Sequence, residues 1–264
     1  RCVAAGAMDL DDYWLRLQQS ADEQQALIEA VIVPETWFFR YPESFATLAR
    51  LAVTRLGEIK HMRALRILSL PCSTGEEPYS IAMALFDAGF AAHQFKVDAL
   101  DVSPLSVQRA QNALYGKNSF RGQPTDFRER YFCVESDGYQ LSERVCGQVS
   151  FTAGNLLDPI LLASHEPYDF VFCRNLLIYL NAKLQQRLIP LFHYALNRDG
   201  ILLLGSADTP GHFSELFSPL TTSTRLYRRL DNLARQRLPT YFPTKVSLAS
   251  PPDRKSTRLN SSHT

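Results

Sequence analysis

The chain has 264 residues, of which 45% are hydrophobic and 21% are charged. This composition is that of a globular protein with a buried core, and it excludes a wholly disordered chain. The length allows one full catalytic domain and a smaller unit. The formal net charge is +1 without a long block of one sign, so no whole-chain electrostatic attraction to nucleic acid or to an anionic membrane is expected.

The five cysteines are scattered, without a C-x-x-C pair. This argues against a disulfide framework and against a zinc site, and none of the histidines has metal-ligand spacing. No apolar run reaches the roughly 20 residues needed to span a bilayer, and no charged-then-apolar leader opens the chain. We therefore expect a reduced, cytoplasmic protein without a metal site.

Residues 1–33 are predicted to be part of a small helical domain. Apolar residues recur there at helical spacing, and Ser20 with Glu23 makes a capping-box pattern. Because position 1 is Arg1 and not methionine, we expect that the beginning of this domain is missing. Pro34 disfavours helix in the residue before it and separates this domain from the next part of the chain.

After Arg63, short apolar runs alternate with amphipathic helices, which is typical of a parallel sheet covered on both faces. Strands are predicted at 65–70, 95–100, 149–152, 170–173 and 201–204, with an antiparallel strand at 225–230 finishing the sheet at its edge. Helices are predicted at 43–56, 77–88, 104–114 and 182–196, and Asp199-Gly200 is predicted to turn into the fifth strand. Alternating runs around a Ser-Asp-Gly turn predict a small antiparallel insert over about 131–152. The main domain is thus expected over 34–230. Residues 231–264 are expected to be linker and tail, because Pro, Ser and Thr accumulate there.

The most informative loop comes after the first predicted strand. The strand predicted at 65–70 runs into Pro-Cys-Ser-Thr-Gly, and a helix then begins with Glu76, Glu77 and Pro78. Open α/β sheets bind ligands at this edge. Gly75 is alone, without the G-x-G-x-x-G pattern of dinucleotide sites, so an adenosyl cofactor without phosphate fits better, with Glu76 facing its amino group. The alternative is that both glutamates only complement the helix dipole.

Acidic and amide residues come after the second and third strands. Asp101 is placed to accept both hydroxyls of a ribose, although Asp101 or Ser103 could instead cap the next helix. Asn155 and Leu156 are candidates for adenine contacts, and Asn155 could equally be a turn residue.

The fourth strand ends in Cys173-Arg174-Asn175. Polar side chains directly after Phe-Val-Phe are costly unless they meet partners, so Arg174 and Asn175 are candidates for the wall of the site, with a helix cap by Asn175 as the alternative. Cys72 and Cys173 flank these loops, but no histidine accompanies them in a motif, so we do not expect cysteine catalysis.

An aromatic segment, Thr36-Trp-Phe-Phe-Arg40, precedes the sheet. Its two phenylalanines are predicted core residues. Arg40 is expected to grip a carboxylate, which could belong to a cofactor, a substrate or the protein surface.

These motifs together resemble the CheR family of chemoreceptor methyltransferases, over about Asp9 to Leu230. The resemblance implies a Rossmann-like S-adenosylmethionine methyltransferase sheet, with S-adenosylhomocysteine as product. The sequence shows no convincing general base, and the implied chemistry does not require one. The cofactor contacts that the resemblance implies are Thr36, Arg40, Glu76, Asp101, Asn155, Leu156, Arg174 and Asn175, with Arg40 and Asn175 also positioning the reactants.

The resemblance further implies a protein-glutamate O-methyltransferase whose substrate is the cytoplasmic helical domain of a methyl-accepting chemoreceptor. Pro34 departs from the asparagine often found there, and Gly205-Ser-Ala-Asp208 departs from the usual Gly-His-Ser-Glu, which leaves that wall of the site in doubt. The predicted insert lacks the longer glycine-containing loop of tether-docking relatives, so action without a tether peptide is expected.

The same motifs are compatible with other functions. A methyltransferase of the same fold could act on another substrate, and a catalytically silent module could bind S-adenosylmethionine for signalling. A nicotinamide dehydrogenase is disfavoured by the missing glycine fingerprint.

Overall fold

The computed structural model of the chain describes residues 1–122, 125–158, 161–162, 165–206, 208–211, 213–220 and 225–231. The strands in these residues are β1 (Leu65–Ser69), β2 (Phe95–Asp101), β3 (Leu114–Tyr115), β4 (Phe132–Glu135), β5 (Gly138–Leu141), β6 (Val149–Ala153), β7 (Tyr168–Cys173), β8 (Leu196–Leu204), β9 (Phe217–Pro219) and β10 (Leu226–Arg229). The helices are α1 (Leu10–Gln19), α2 (Ala21–Val31), α3 (Pro42–Glu58), α4 (Glu76–Asp87), α5 (Pro104–Asn112), α6 (Phe127–Tyr131), α7 (Glu143–Cys146) and α8 (Ala182–Ala195). Short 3-10 turns lie at Ala92–Gln94, Lys117–Phe120 and Leu177–Tyr179.

Seven strands form the main sheet, in the order β6-β2-β1-β7-β8-β10-β9. The pairs from β6 to β8 are parallel, and β10 is antiparallel to both of its neighbours. The predicted mostly parallel sheet with antiparallel pairing at one side is confirmed. The antiparallel strand predicted at 225–230 is present as β10. Its predicted place at the edge of the sheet is wrong, because β9 pairs with β10 and forms the edge. Three residues are too few for a strand pattern to be visible in the sequence.

The start of β8 also differs from the prediction. The strand begins at Leu196, and Asp199-Gly200 lies inside it, where the pairing with β7 is irregular. Asp199 has a φ of 58°, so the dipeptide produces a bulge in the strand and not a turn before it.

The central strands are buried because helices cover both faces of the sheet. Every residue of β7 is buried, as expected for the interior of a parallel sheet. One apolar core lies on the side of α3 and α4, and the other lies on the side of α8.

The small antiparallel sheet has the order β3-β5-β4. It therefore occupies residues 114–141, and not the predicted 131–152. Val145 lies in α7, and β6 belongs to the main sheet. The two-residue strand β3 is too short to be recognised from alternation.

The two N-terminal helices meet at Ser20, whose hydroxyl oxygen accepts the amide N–H of Glu23 at 3.1 Å. The Glu23 carboxylate does not complete the capping box, since it accepts the hydroxyl of Tyr13 at 2.9 Å instead.

Among the described residues, no helix is both long and apolar enough to cross a membrane. Residues 232–264 of the predicted tail lie outside the described part of the chain.

Candidate functional site

The loop between β1 and α4 is a tight turn at the carboxyl edge of the sheet. Gly75 precedes α4 with a φ of 96°. A Cβ atom there would lie 2.8 Å from the Cβ of Ala110 on α5, so both the conformation and the close approach require glycine. Ser73 has a φ of 48°, and its buried hydroxyl lacks a hydrogen-bond partner among the described residues.

Asp101 joins this loop to the end of β2. One of its carboxylate oxygens accepts the amide N–H of Ser73 at 2.7 Å, and the other accepts that of Ser103 at 3.0 Å. Burial raises the pKa of Asp101, and these amide bonds oppose that rise. The cap of α5 is Ser103, whose hydroxyl oxygen accepts the amide N–H of Ser106 at 2.9 Å. The proposed capping role thus falls to Ser103 and not to Asp101.

Glu76 is buried at 3% exposure. Its carboxylate accepts the hydroxyls of Thr74 at 2.7 Å and Ser119 at 2.9 Å. Burial raises its pKa, and the two hydroxyl contacts act in the opposite direction. Complementing a helix dipole requires neither burial nor hydroxyl partners, so this side chain has a more specific environment than that alternative requires.

Glu77 faces a different set of partners. Its carboxylate accepts the hydroxyl of Ser69 at 2.9 Å and lies 3.3 Å from the Arg174 guanidinium. Arg174 also donates to the backbone oxygen of Arg40 at 2.7 Å, and its guanidinium lies 4.9 Å from the ring centre of Tyr41. The loops after β1 and β7 therefore meet the aromatic segment at this point.

Arg40 has no ion pair within the described part of the chain. It donates to the backbone oxygen of Glu35 at 2.7 Å and lies 4.5 Å from the ring centre of Trp37, while its Nε is buried without a partner. Its neighbours Phe39 and Tyr41 have φ values of 53° and 62°, and such backbone strain clusters at functional sites. The described residues thus leave a buried N–H of Arg40 available to a ligand.

Asn175 and Asp208 tie the ends of β7 and β8 together. Asn175 has a φ of 56°, and its amide N–H donates to the Asp208 carboxylate at 3.1 Å. The same oxygen accepts the amide N–H of Gly205 at 3.1 Å. Asn175 does not cap the 3-10 turn at Leu177–Tyr179, because the capping position there is Leu176. Through these two contacts Asp208 connects the loops after β7 and β8, which form the part of the site where the sequence departs from the usual Gly-His-Ser-Glu.

Asn155 and Leu156 lie just beyond β6, which is paired with β2 up to Asp101 and Ala153. The Asn155 side-chain oxygen accepts the amide N–H of Leu157 at 2.9 Å, so this residue does form a turn. Leu156 is half-buried. Their place beside Asp101 is compatible with the predicted adenine contacts, which stay a prediction.

The two cysteines at this edge are poor candidates for nucleophiles. Cys72 and Cys173 are both buried, and burial raises the pKa of each thiol well above its usual value. A thiolate is the reactive form of cysteine, so these thiols are held in the inert form.

Most of the predicted site residues lie in one connected group at the carboxyl edge. Direct contacts link Asp101 with the loop after β1, and Arg40 with Arg174, whereas the side chain of Thr36 forms no hydrogen bond within the described residues. The buried carboxylates and the unpartnered N–H of Arg40 fit a ligand that carries hydroxyl, ammonium and carboxylate groups. Four residues of this group have no site role predicted from the sequence, because they meet partners that are distant in the sequence: Ser73, Glu77, Ser119 and Asp208.

The CheR methyltransferase, SAM binding domain family matches residues 34–226. The chain is similar to the probable biofilm formation methyltransferase WspC of Pseudomonas putida, with 64% identity over 208 residues, 79% of this chain and 49% of that protein. WspC of Pseudomonas aeruginosa is 59% identical, covering 76% of this chain and 47% of that protein. The chemotaxis protein methyltransferase of Salmonella typhimurium is 32% identical, covering 80% and 75%.

The chain thus spans about half the length of the two WspC relatives. The run Val-Pro-Glu-Thr-Trp-Phe-Phe-Arg at 33–40 predicts a WspC-like member of the family, and this prediction is confirmed. The matching model describes a domain that binds S-adenosylmethionine, which is therefore the cofactor. The chain belongs to the CheR methyltransferase family.

Proposed function

We propose that the protein transfers a methyl group from S-adenosylmethionine to glutamate side chains of a methyl-accepting chemoreceptor. The observation that carries the proposal is the meeting of the loops after β1, β2 and β7 with the Arg40 segment, within the matched domain. Relatives named as chemotaxis methyltransferases support the same conclusion.

The proposed cofactor contacts depend on the chemistry of each side chain. Asp101 accepts the ribose hydroxyls, Glu76 accepts the amino group, and the free N–H of Arg40 meets the carboxylate. Asn155 and Leu156 contact the adenine. Thr36, Arg174 and Asn175 complete the site around the methionine portion.

The reaction requires no general base from the protein. A glutamate side chain has a pKa of about 4.3, so it is already a nucleophilic anion at neutral pH. The cofactor supplies a methyl group that is activated by a sulfonium. The task of the protein is to align the two reactants and to exclude water between them. Arg40 and Asn175 serve in positioning.

We propose that the substrate segment is the cytoplasmic helical domain of the receptor and that no tether peptide is needed. The hairpin of β4 and β5 supports the second point, because Glu135 pairs directly with Gly138 and leaves a two-residue turn. Such a turn offers little surface for a docked peptide.

The test uses the chain, tritiated S-adenosylmethionine and purified cytoplasmic receptor fragments. A glutamyl methyl ester releases volatile methanol in base, so base-labile volatile label is the expected result. Asp101→Asn should abolish most of the label and weaken S-adenosylhomocysteine binding roughly tenfold or more, because a hydrogen bond to a charged group contributes about 1.5–3 kcal/mol. The control Asp137→Asn, exposed in the hairpin turn, should retain both.

Two results would contradict the proposal. Binding of S-adenosylhomocysteine without label in any receptor fragment indicates a silent binding module. Transfer of label in a form that base does not release indicates another acceptor group.

A further inference from the structure

A cavity of about 280 Å³ lies on the α3 side of the sheet, next to the proposed cofactor site. Its walls are the start of α3, the residue after β7, the end of β8 and the start of β10. Its polar and charged lining includes Glu43, Ser44, Thr47, Arg174, Ser206 and Arg225. Of the predicted cofactor residues only Arg174 lines it, so this cavity is separate from the adenosine side.

We propose that this cavity receives the side chain of the glutamate that is methylated. The inference deepens the proposed function and rests on it. The size of the cavity is the first reason. Sites for whole small molecules usually have about 300–1,000 Å³, so the cavity at about 280 Å³ suits one side chain better than a nucleoside with an attached amino acid.

The charge of the lining is the second reason. Two arginines, Arg174 and Arg225, and one acid, Glu43, line the cavity. Arg174 is already paired with Glu77 at 3.3 Å, so Arg225 is the cation that remains for a guest. Arg225 donates from Nε to the backbone oxygen of Ser206 at 3.0 Å and forms no ion pair within the described part of the chain. An anionic guest is therefore favoured.

The third reason is an unsatisfied donor. The Arg174 side chain is only 3% exposed. Its Nη1 lies 3.3 Å from the Glu77 carboxylate, but the geometry gives no hydrogen bond, and this buried nitrogen has no other partner among the described residues. Buried N–H groups without partners are costly, and a guest carboxylate in the cavity would supply the missing acceptor.

The position of Arg174 is the fourth reason. It is followed by Asn175 and donates to the backbone oxygen of Arg40, so it forms a wall shared by the cavity and the proposed cofactor site. In-line transfer requires the acceptor oxygen to lie close to the methyl carbon. One carboxylate oxygen would accept the Arg174 N–H, and the other would bond to the methyl carbon as the bond from that carbon to sulfur breaks, giving the ester and S-adenosylhomocysteine.

The test compares two leucine substitutions on α3. Thr47→Leu fills the half-buried wall of the cavity, and the control Thr54→Leu adds the same volume at an exposed position two turns away. We expect Thr47→Leu to raise, at least tenfold, the KM for a receptor fragment that the wild-type chain methylates. Its dissociation constant for S-adenosylhomocysteine, measured by calorimetry, should stay within twofold of wild type, and Thr54→Leu should change neither quantity.

A second variant tests the role of charge. Glu43→Gln removes the one acid of the lining, so it should lower the KM for the receptor fragment two- to threefold. A loss of packing could not improve the KM, which distinguishes this readout from a purely structural effect.

Three results would overturn the proposal. A parallel loss of S-adenosylhomocysteine affinity in Thr47→Leu would make the cavity part of the cofactor site. An unchanged KM in both Thr47→Leu and Glu43→Gln would show that the substrate does not enter it, while wild-type methylation remains intact. A wild-type chain that methylates no receptor fragment would instead contradict the proposed function, and the acceptor site with it.

Discussion

Glu76 and Glu77 are adjacent in the sequence, yet their carboxylates face different partners. The Glu76 carboxylate accepts the hydroxyls of Thr74 and Ser119, and the Glu77 carboxylate lies beside the Arg174 guanidinium. Successive residues of a helix point about 100° apart, so one can serve the cofactor while the other holds the loop after β7. The sequence alone does not distinguish the two residues, because both are acids in the first turn of a predicted helix.

The burial of Glu76 gives a pH-dependent prediction. Its pKa is raised in the folded state, so its ionisation opposes folding once the pH rises above the unfolded value of about 4.5. Glu76→Gln should therefore be more stable than wild type in urea unfolding at pH 7. This advantage should disappear below about pH 4, where the Glu76 carboxyl is mostly neutral in the folded and in the unfolded chain. The hydroxyls of Thr74 and Ser119 can rotate to suit the amide.

The same variant should bind S-adenosylhomocysteine roughly tenfold to a hundredfold more weakly, because it loses a charged acceptor worth about 1.5–3 kcal/mol. Glu135→Gln, exposed on the hairpin, is the control. A stability gain that does not vary with pH would argue against an ionised Glu76.

At the scale of elements, α2 is attached directly to the turn that carries Asp101. Glu29 accepts the Ser103 hydroxyl at 2.7 Å, and Gln25 donates to the backbone oxygen of Val102 at 3.1 Å. Ser103 in turn donates its amide N–H to Asp101 at 3.0 Å. The N-terminal helices thus support the proposed ribose contact, although the sequence assigns them to a separate unit.

This attachment predicts that Glu29→Ala weakens S-adenosylhomocysteine binding by about two- to fivefold, since second-layer contacts of this kind contribute a fraction of the roughly 1.5–3 kcal/mol of a charged hydrogen bond. Amide hydrogen exchange in α2 should become faster in the same variant. Asp22→Ala, exposed on the same helix, is the control. Faster exchange with unchanged affinity would show that α2 packs against the turn without positioning Asp101.

For the whole molecule, the two edges of the sheet have different tasks. The carboxyl edge carries the site, and the amino edge carries a buried charge cluster around Asp169. Arg63 contacts this carboxylate at 2.6 Å, Arg55 contacts it at 3.1 Å, and the amide N–H of Arg66 donates to it at 3.1 Å. Burial opposes the ionisation of Asp169, but these contacts outweigh it and hold the pKa below its usual value.

Asp169→Asn should therefore lower the free energy of unfolding by about 3–5 kcal/mol at pH 7, the usual cost of breaking a buried ion pair. Because the folded pKa is lowered, the contribution of the carboxylate is present above the unfolded value and is lost as the pH falls through the folded one. Urea unfolding of wild type and variant at pH 7, and again at a pH below the folded pKa of Asp169, measures this difference. The affinity of the folded variant for S-adenosylhomocysteine should not change, and a large loss would show that the two edges are coupled. Asp137→Asn provides the control.

Local sequence patterns were enough to predict the fold class, the five parallel strands of the main sheet, the helices between them and the polar residues at the strand ends. These features depend on local patterns: buried apolar runs, helical spacing, and loop residues such as Gly75 that only one conformation accommodates. The ordered motifs also identified the family. The strands β3 and β9 were not predicted, because two or three residues carry no periodicity. The start of β8 was also predicted too late in the chain.

The partner of each polar side chain depends on the three-dimensional packing of the chain. Arg174 meets Arg40 across 134 positions of sequence, and Arg63 meets Asp169 across 106. Local patterns hold no information about such contacts, because the sheet order and the packing of α3 bring these residues together. The separate environments of Glu76 and Glu77, the bridge made by Asp208 and the cavity beside Arg174 all result from that packing.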